Sequence, residues 1–216
     1  MGGMSTPYGQ RSVKIPNDER LGWSSDRPRP EGSPVRPVDI SVRGRVLSPS
    51  DRLRYSPGSL LLIVSPSLAE RDRFADRLIE DRAAFFSLGK VRGLITGRVP
   101  EEVLDEKAAE LLKAAVAKRL GSGETVVVAL ETLGAEEREL YVRPAALLKR
   151  PRHLILLETG KGSVAEEDRA PLNELRRSLD AGELGAEGIQ TSLRLGGATI
   201  GEVKKVLFRP PPRDDD

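Results

Sequence analysis

The sequence predicts an α/β protein: a three-layer fold in which a parallel sheet carries helices on both faces, set between disordered N- and C-terminal tails. Three observations carry this reading. The runs "SLLLIV" (59–64), "TVVVAL" (125–130) and "HLILLE" (153–158) are apolar and short. They lack the alternation of a half-exposed strand, so they read as strands buried on both faces. The stretches between them place apolar residues at helical spacing. Strand-like and helix-like segments alternate along the chain, which is the order of a parallel sheet with crossover helices.

Residues 1–37 are rich in Pro, Arg, Ser and Gly, as in "SSDRPRPEGSPVRP". Such a segment buries too little apolar surface to offset its ordering entropy, so disorder is predicted. Residues 38–57 form a short strand and linker, with "VDISVRGRVL" (38–47) alternating as an edge strand would. The domain proper spans 58–208. Its first strand, 59–64, runs into a helix over 68–81, where Leu68, Phe74 and Leu78 recur at helical spacing. "AFFSL" (84–88) is a second strand. The strongest helix follows, "PEEVLDEKAAELLKAAVAKRLGSG". It has Pro100 and acidic residues at its start, and Leu104, Ala108, Leu111, Leu112 and Ala115 on one face. Lys118 and Arg119 close its last turn, with Gly121 after them. After the 125–130 strand, "GAEERELYVRPAALLKR" is a helix that Pro144 is expected to kink. The 153–158 strand, the helix "EEDRAPLNELRRSLDAG" and a last strand "EVKKVLF" (202–208) complete the domain, and 209–216 is a polar tail. No internal repeat occurs.

Composition narrows the chemistry. The chain has no cysteine, which removes disulfides, thiolate zinc sites and cysteine nucleophiles. His153 is the only histidine, so a multi-histidine metal site is excluded and a Ser-His-Asp triad would have to run through it. At the start of a strand it reads as a packing or surface residue. Lys and Arg number 35 against 33 Asp and Glu, a net charge of +2. Global charge therefore does not single out nucleic acid, although the pI is about 9.0. No apolar run is long enough to span a bilayer, so no membrane partner and a cytoplasmic setting are expected.

Ligands of open parallel sheets sit at the carboxyl ends of the strands. The loops at Ser65–Asp72, Ser87–Arg92 and Ala129–Leu133 are therefore expected to line one crevice. The first contains "SPSLAERD", where Ser67 and Glu70 have the spacing of a capping box.

Four segments, in order, carry a resemblance: "LLLIVSPSLAERDRFADRL", "SLGKVRGLITG", "AVAKRLGSGETVVVALETLGAEERELYVRPA" and "LDAGELGAEGIQTSLRL". Together they resemble the P-loop kinases, and within them the polynucleotide kinase-like branch, over about Gly58 to Phe208. The resemblance implies a P-loop kinase-like sheet and a phosphate loop G-x-x-x-x-G-K-[ST], whose amides, lysine and hydroxyl hold phosphates and Mg²⁺. In this chain Ser65 replaces the first glycine, Glu70 the second, Arg71 the lysine and Asp72 the hydroxyl residue. Glu70 adds a side chain where the backbone must wrap tightly, and a negative charge. Arg71 keeps the charge in a broader, planar group. Two unit charges 4 Å apart interact by about 4 kcal/mol at an effective dielectric of 20, so these carboxylates would repel a polyphosphate. Gly89 stands where the branch has its general base. Ala129 replaces an acidic residue, Glu131 and Thr132 stand at a Thr-Asn pair, and Arg138 matches a family arginine. Lys161, Arg169, Arg176 and Arg177 fall in the lid.

The resemblance thus implies a degenerate phosphate loop on a pseudokinase, a binding or scaffolding protein without phosphotransfer, catalytic residue, metal or cofactor. Ser65, Ser67, Glu70, Arg71 and Asp72, with Glu131, Thr132 and Arg138, would line its crevice. One alternative is an active nucleotide or polynucleotide kinase using Mg-ATP, with Arg71 on phosphate and Asp72 or Glu131 on metal. A further alternative is an accessory protein that holds a nucleic-acid end or a protein partner through the crevice and the arginine-rich stretch Arg11–Arg45.

Overall fold

Eight strands and six α-helices make up the structure, a computed structural model that describes residues 38–158, 160 and 164–210. From Asp39 onward the described residues belong to one compact unit. The strands are β1 (Arg45–Leu47), β2 (Arg52–Tyr55), β3 (Leu60–Val64), β4 (Phe85–Ser87), β5 (Val126–Ala129), β6 (Arg152–Glu158), β7 (Thr191–Gly196) and β8 (Lys205–Phe208). The helices are α1 (Leu68–Leu78), α2 (Leu88–Ile95), α3 (Leu104–Gly121), α4 (Ala135–Leu147), α5 (Glu166–Asp180) and α6 (Ala198–Glu202).

Six strands form one parallel sheet in the order β1-β7-β6-β3-β5-β4. β3 lies inside it, and all five of its residues are fully buried, as a strand covered on both faces requires. Its side chains alternate between two cores. Leu60, Leu62 and Val64 face α3, α4 and α5 through Leu112, Val116, Tyr141, Val142, Leu172 and Leu175. Leu61 and Ile63 face α1 through Phe74, Ala75 and Leu78. The three-layer arrangement follows.

The second face differs from the sequence expectation in one respect. "EVKKVLF" does give a strand, β8, but it does not extend the main sheet. It pairs in parallel with β2 as a separate two-stranded sheet, Arg52 opposite Lys205 through Tyr55 opposite Phe208. Leu53, Tyr55 and Val206 face inward onto the α1 core, and Ile79 at the end of α1 bridges to Val206. This ribbon covers sheet surface that a helix would otherwise cover. The sheet positions beyond β6 belong to β7, within "QTSLRLGG", and to β1 at the edge.

Other boundaries also moved. α3 buries Leu104, Ala108, Leu112, Val116 and Leu120, a stripe at four-residue spacing, while Leu111 is exposed. α1 ends at Leu78, and α4 continues through Pro144 to Leu147. "SLGKVRGLITG" is not a loop but α2, with the Ser87 hydroxyl accepting from the Lys90 amide at its start. The tails expected at 1–37 and 211–216 lie outside the described residues.

The segment before β3 is held by close backbone approach. The Val42 amide donates to the Gly185 carbonyl at 2.8 Å. A Cβ on Gly185 would stand 2.3 Å from the Val42 oxygen and 2.5 Å from the Gly44 nitrogen. Only glycine admits that contact.

Candidate functional site

The carboxyl ends of β3, β5 and β6 are where the sheet places a crevice. The helix after β3 lies on one face and those after β5 and β6 on the other, which is the switch-point arrangement. At β3 the turn is only three residues long, Ser65 to Ser67, before α1 begins. The Ser67 hydroxyl caps α1 by accepting from the Glu70 amide at 3.4 Å, and the Ser65 hydroxyl accepts from the Ser67 amide at 3.1 Å. The capping box is therefore only half formed. Ser65 takes the amide that Glu70 was expected to reach, and Glu70 instead lines a neighbouring cavity with Arg73 and Arg77.

Arg71 decides the chemistry of the crevice. The buried residues of α1 are Arg71, Phe74, Ala75 and Leu78. This is the i, i+3, i+4, i+7 stripe of a packed helix with an arginine in its first place. The side chain is 2% exposed. Its Nε donates to Asp72 at 2.9 Å, its Nη1 to Glu131 at 2.9 Å and to the Leu130 carbonyl, and its Nη2 lies 2.8 Å from Asp72. One guanidinium thus joins the α1 turn to the end of β5, held by two carboxylates. Fork-like donor geometry suits arginine to this role, and lysine could not reproduce it.

α4 repeats the device. Its buried residues are Arg138, Tyr141, Val142 and Ala145, the same stripe, again with arginine first and again the fourth residue of its helix. Arg138 makes a bidentate pair with Glu187, both bonds 2.7 Å, and donates to the Leu133 carbonyl at 2.7 Å. The adjoining loop is tied down by Glu137, whose carboxylate accepts from the Glu131 amide at 3.0 Å and from the Thr132 amide and hydroxyl at 2.7 and 2.8 Å. Neither Glu137 nor Glu187 stands out in the sequence. The only sign of Glu137 is its place in the acidic first turn of a helix, where amides are in excess.

The structure brings Arg71, Asp72 and Glu131 together and seats Thr132 and Arg138 beside them in a cleft of about 760 Å³. Glu131, Glu136, Glu137, Glu174 and Glu187 line that cleft, against Arg138 as the one basic lining residue among the described residues. It is an acidic cleft. Burial and the charges of Glu137 and Glu131 push the nearby Tyr141 phenol up to about 12. Gly89 lies in the first turn of α2, and a Cβ there would meet nothing within 4 Å. Packing does not demand its glycine, and it supplies no base. Ala129 is buried in the core. Of the four basic residues expected in a lid, Lys161 lies outside the described residues. The other three lie on α5, Arg169 paired with Glu166 and Arg176 with Glu158, while Arg177 donates to the Asn173 carbonyl.

These residues do not fit a magnesium nucleotide. Arg71 is bound to carboxylates, Asp72 is itself one of those carboxylates, and the glutamates of the adjoining cleft oppose a polyphosphate. Among the described residues no group of three or more histidine, aspartate or glutamate side chains is placed to hold a metal ion, and no helix is long and apolar enough to cross a membrane.

His153 is a core residue. It is 8% exposed and stacks on Tyr55 with ring centroids 4.6 Å apart. Ser59 donates its hydroxyl to the Ser56 carbonyl, so it accepts from His153 Nε2, and Nδ1 accepts from the Thr191 hydroxyl at 2.7 Å. That network wants a neutral ring. Burial, with the Arg152 charge, pushes its pKa down to about 4 from 6.5. A base depressed on folding contributes stability that is complete above its unfolded pKa and is lost as pH falls toward the folded one. Urea melts at about pH 7.5 and about pH 4.5 should therefore show His153→Gln removing about 2 kcal/mol of the acid destabilisation. An identical acid sensitivity in the variant would contradict this assignment.

No family model matches this chain, and no curated protein matches it.

Proposed function

We propose that this domain is a kinase-like scaffold without phosphotransfer, a pseudokinase of the P-loop type that acts by binding. The observation that carries the reading is the Arg71 guanidinium, held by Asp72 and Glu131 where a nucleotide's phosphates would need a free cation. The three-residue turn after β3 supports it, because the capped helix start leaves no eight-residue cradle. The absence of a side chain at Gly89 supports it further.

An active kinase reading would require Arg71 to leave Asp72 and Glu131, which hold it with normal hydrogen-bond distances. Isothermal titration of the full chain with Mg-ATP and Mg-GTP is the test. No saturable heat is expected into the millimolar range. Micromolar binding accompanied by turnover would overturn the proposal.

A further inference from the structure

The net charge of +2 conceals a segregation of charge. The C-terminal cleft is acidic, whereas the outer face of the β2–β8 ribbon is strongly basic. Period-two alternation sets this up: Leu53 and Tyr55 point into the core, so Arg52 and Arg54 point out. Lys205 stands opposite Arg52 on β8 and is exposed, with Lys204 and Arg209 at the two ends of that strand. These five cations line a shallow depression of about 290 Å³ with Glu80 and Leu207.

The acids that face the group are few. Glu80 is taken up by Arg209 at 3.0 Å, and Asp51 lies 3.9 Å from Arg52. Arg54, Lys204 and Lys205 have no carboxylate partner among the described residues. Unpaired cations on a rigid, paired sheet hold their spacing without further ordering, which suits them to a partner carrying charge at regular intervals.

We propose that the β2–β8 face binds the phosphate backbone of nucleic acid. The chemistry favours this over an acidic protein for two reasons. Arginine forks match phosphate oxygens bidentately. The patch also carries no exposed apolar anchor of the kind protein interfaces place at their centres; Leu207 is buried and Phe208 half-buried. Without exposed aromatic residues to stack bases, the contact is to backbone and is sequence-tolerant. The proposal does not rest on the crevice being catalytically silent, so either can fail alone. It also differs from the sequence expectation of a nucleic-acid end held in the crevice, which the acidic lining disfavours.

Fluorescence anisotropy of the full chain with a short labelled duplex DNA and a labelled single-stranded RNA tests it. Affinity should fall between about 50 mM and about 200 mM salt with a log–log slope of about −3 to −4. The triple reversal Arg54→Glu, Lys204→Glu, Lys205→Glu should lower affinity about 100-fold at the lower salt and flatten the slope by about 2 to 3. The milder Arg54→Gln, Lys204→Gln, Lys205→Gln triple should act in the same direction, which guards against misfolding of the first. Lys113→Glu with Lys118→Glu, on the exposed side of α3, should change little. Unaltered affinity in both triple variants would overturn the proposal and leave binding to the basic residues before Val38. Equal affinity for poly-glutamate would also overturn it, in favour of an acidic protein.

Discussion

Arg71→Ala should lower the free energy of unfolding by about 3 kcal/mol, read as a shift in the urea midpoint at unchanged slope. The substitution removes a side chain that is only 2% exposed and leaves two carboxylates and the Leu130 carbonyl without their donor. Asp72 and Glu131 are 43% and 29% exposed. Water can therefore recover part of the loss, which keeps the effect at the lower end of the range for breaking a buried pair. Arg71→Lys should cost about 1–2 kcal/mol, because a single ammonium cannot serve Asp72, Glu131 and Leu130 together. Removing all three charges with Arg71→Met, Asp72→Asn and Glu131→Gln should restore most of the stability, since what costs is an unpaired charge rather than the lack of a pair. A null effect of Arg71→Ala would mean that the guanidinium is not held as described.

Gly185→Ala should be destabilising by about 3 kcal/mol, at the upper end for overpacking, because the methyl meets backbone and not a side chain that can turn away. The cheapest relief is for the Val42–Gly44 segment, just ahead of β1, to lift from the 182–190 loop. Limited proteolysis should then cut within residues 38–57 before the rest of the domain is attacked. Gly44→Ala should act in the same sense and less strongly, its added Cβ standing 2.9 Å from the Gly182 oxygen. Resistance to proteolysis equal to that of the parent protein would contradict this picture of how the edge strand is anchored.

The sheet was legible because its central strands are continuous apolar runs, and "SLLLIV", short and followed closely by Pro66, has the length and bounds of a doubly covered strand. β2 and α2 were not. β2 is four residues long and half arginine, so its alternation, Leu53 and Tyr55 inward, is too brief to mark a strand. α2 buries no residue fully; its apolar stripe, Leu88, Val91 and Ile95, is only partly covered and is two turns long. β8 was legible as a strand but not as a member of a second sheet, because pairing partners distant in sequence leave no local mark.

In the site, the Ser67 cap could be read directly. The destination of Arg71 could in principle have been read too, because it occupies the first place of the stripe completed by Phe74, Ala75 and Leu78, and Arg138 does the same in α4. An arginine in a core stripe one turn into a helix must find carboxylates or carbonyls at the helix's own end of the sheet. Glu187 could not have been anticipated, since it approaches Arg138 from 49 residues away.

The central claim is that Arg71 is occupied by the chain's own carboxylates and is not open to phosphate. Proton–nitrogen NMR of the arginine Nε–H groups tests this most directly, with Arg71→Lys identifying the signal. The Arg71 resonance should be protected from solvent exchange and should not move when Mg-ATP is added into the millimolar range. A shift of that resonance that saturates with Mg-ATP would contradict the account.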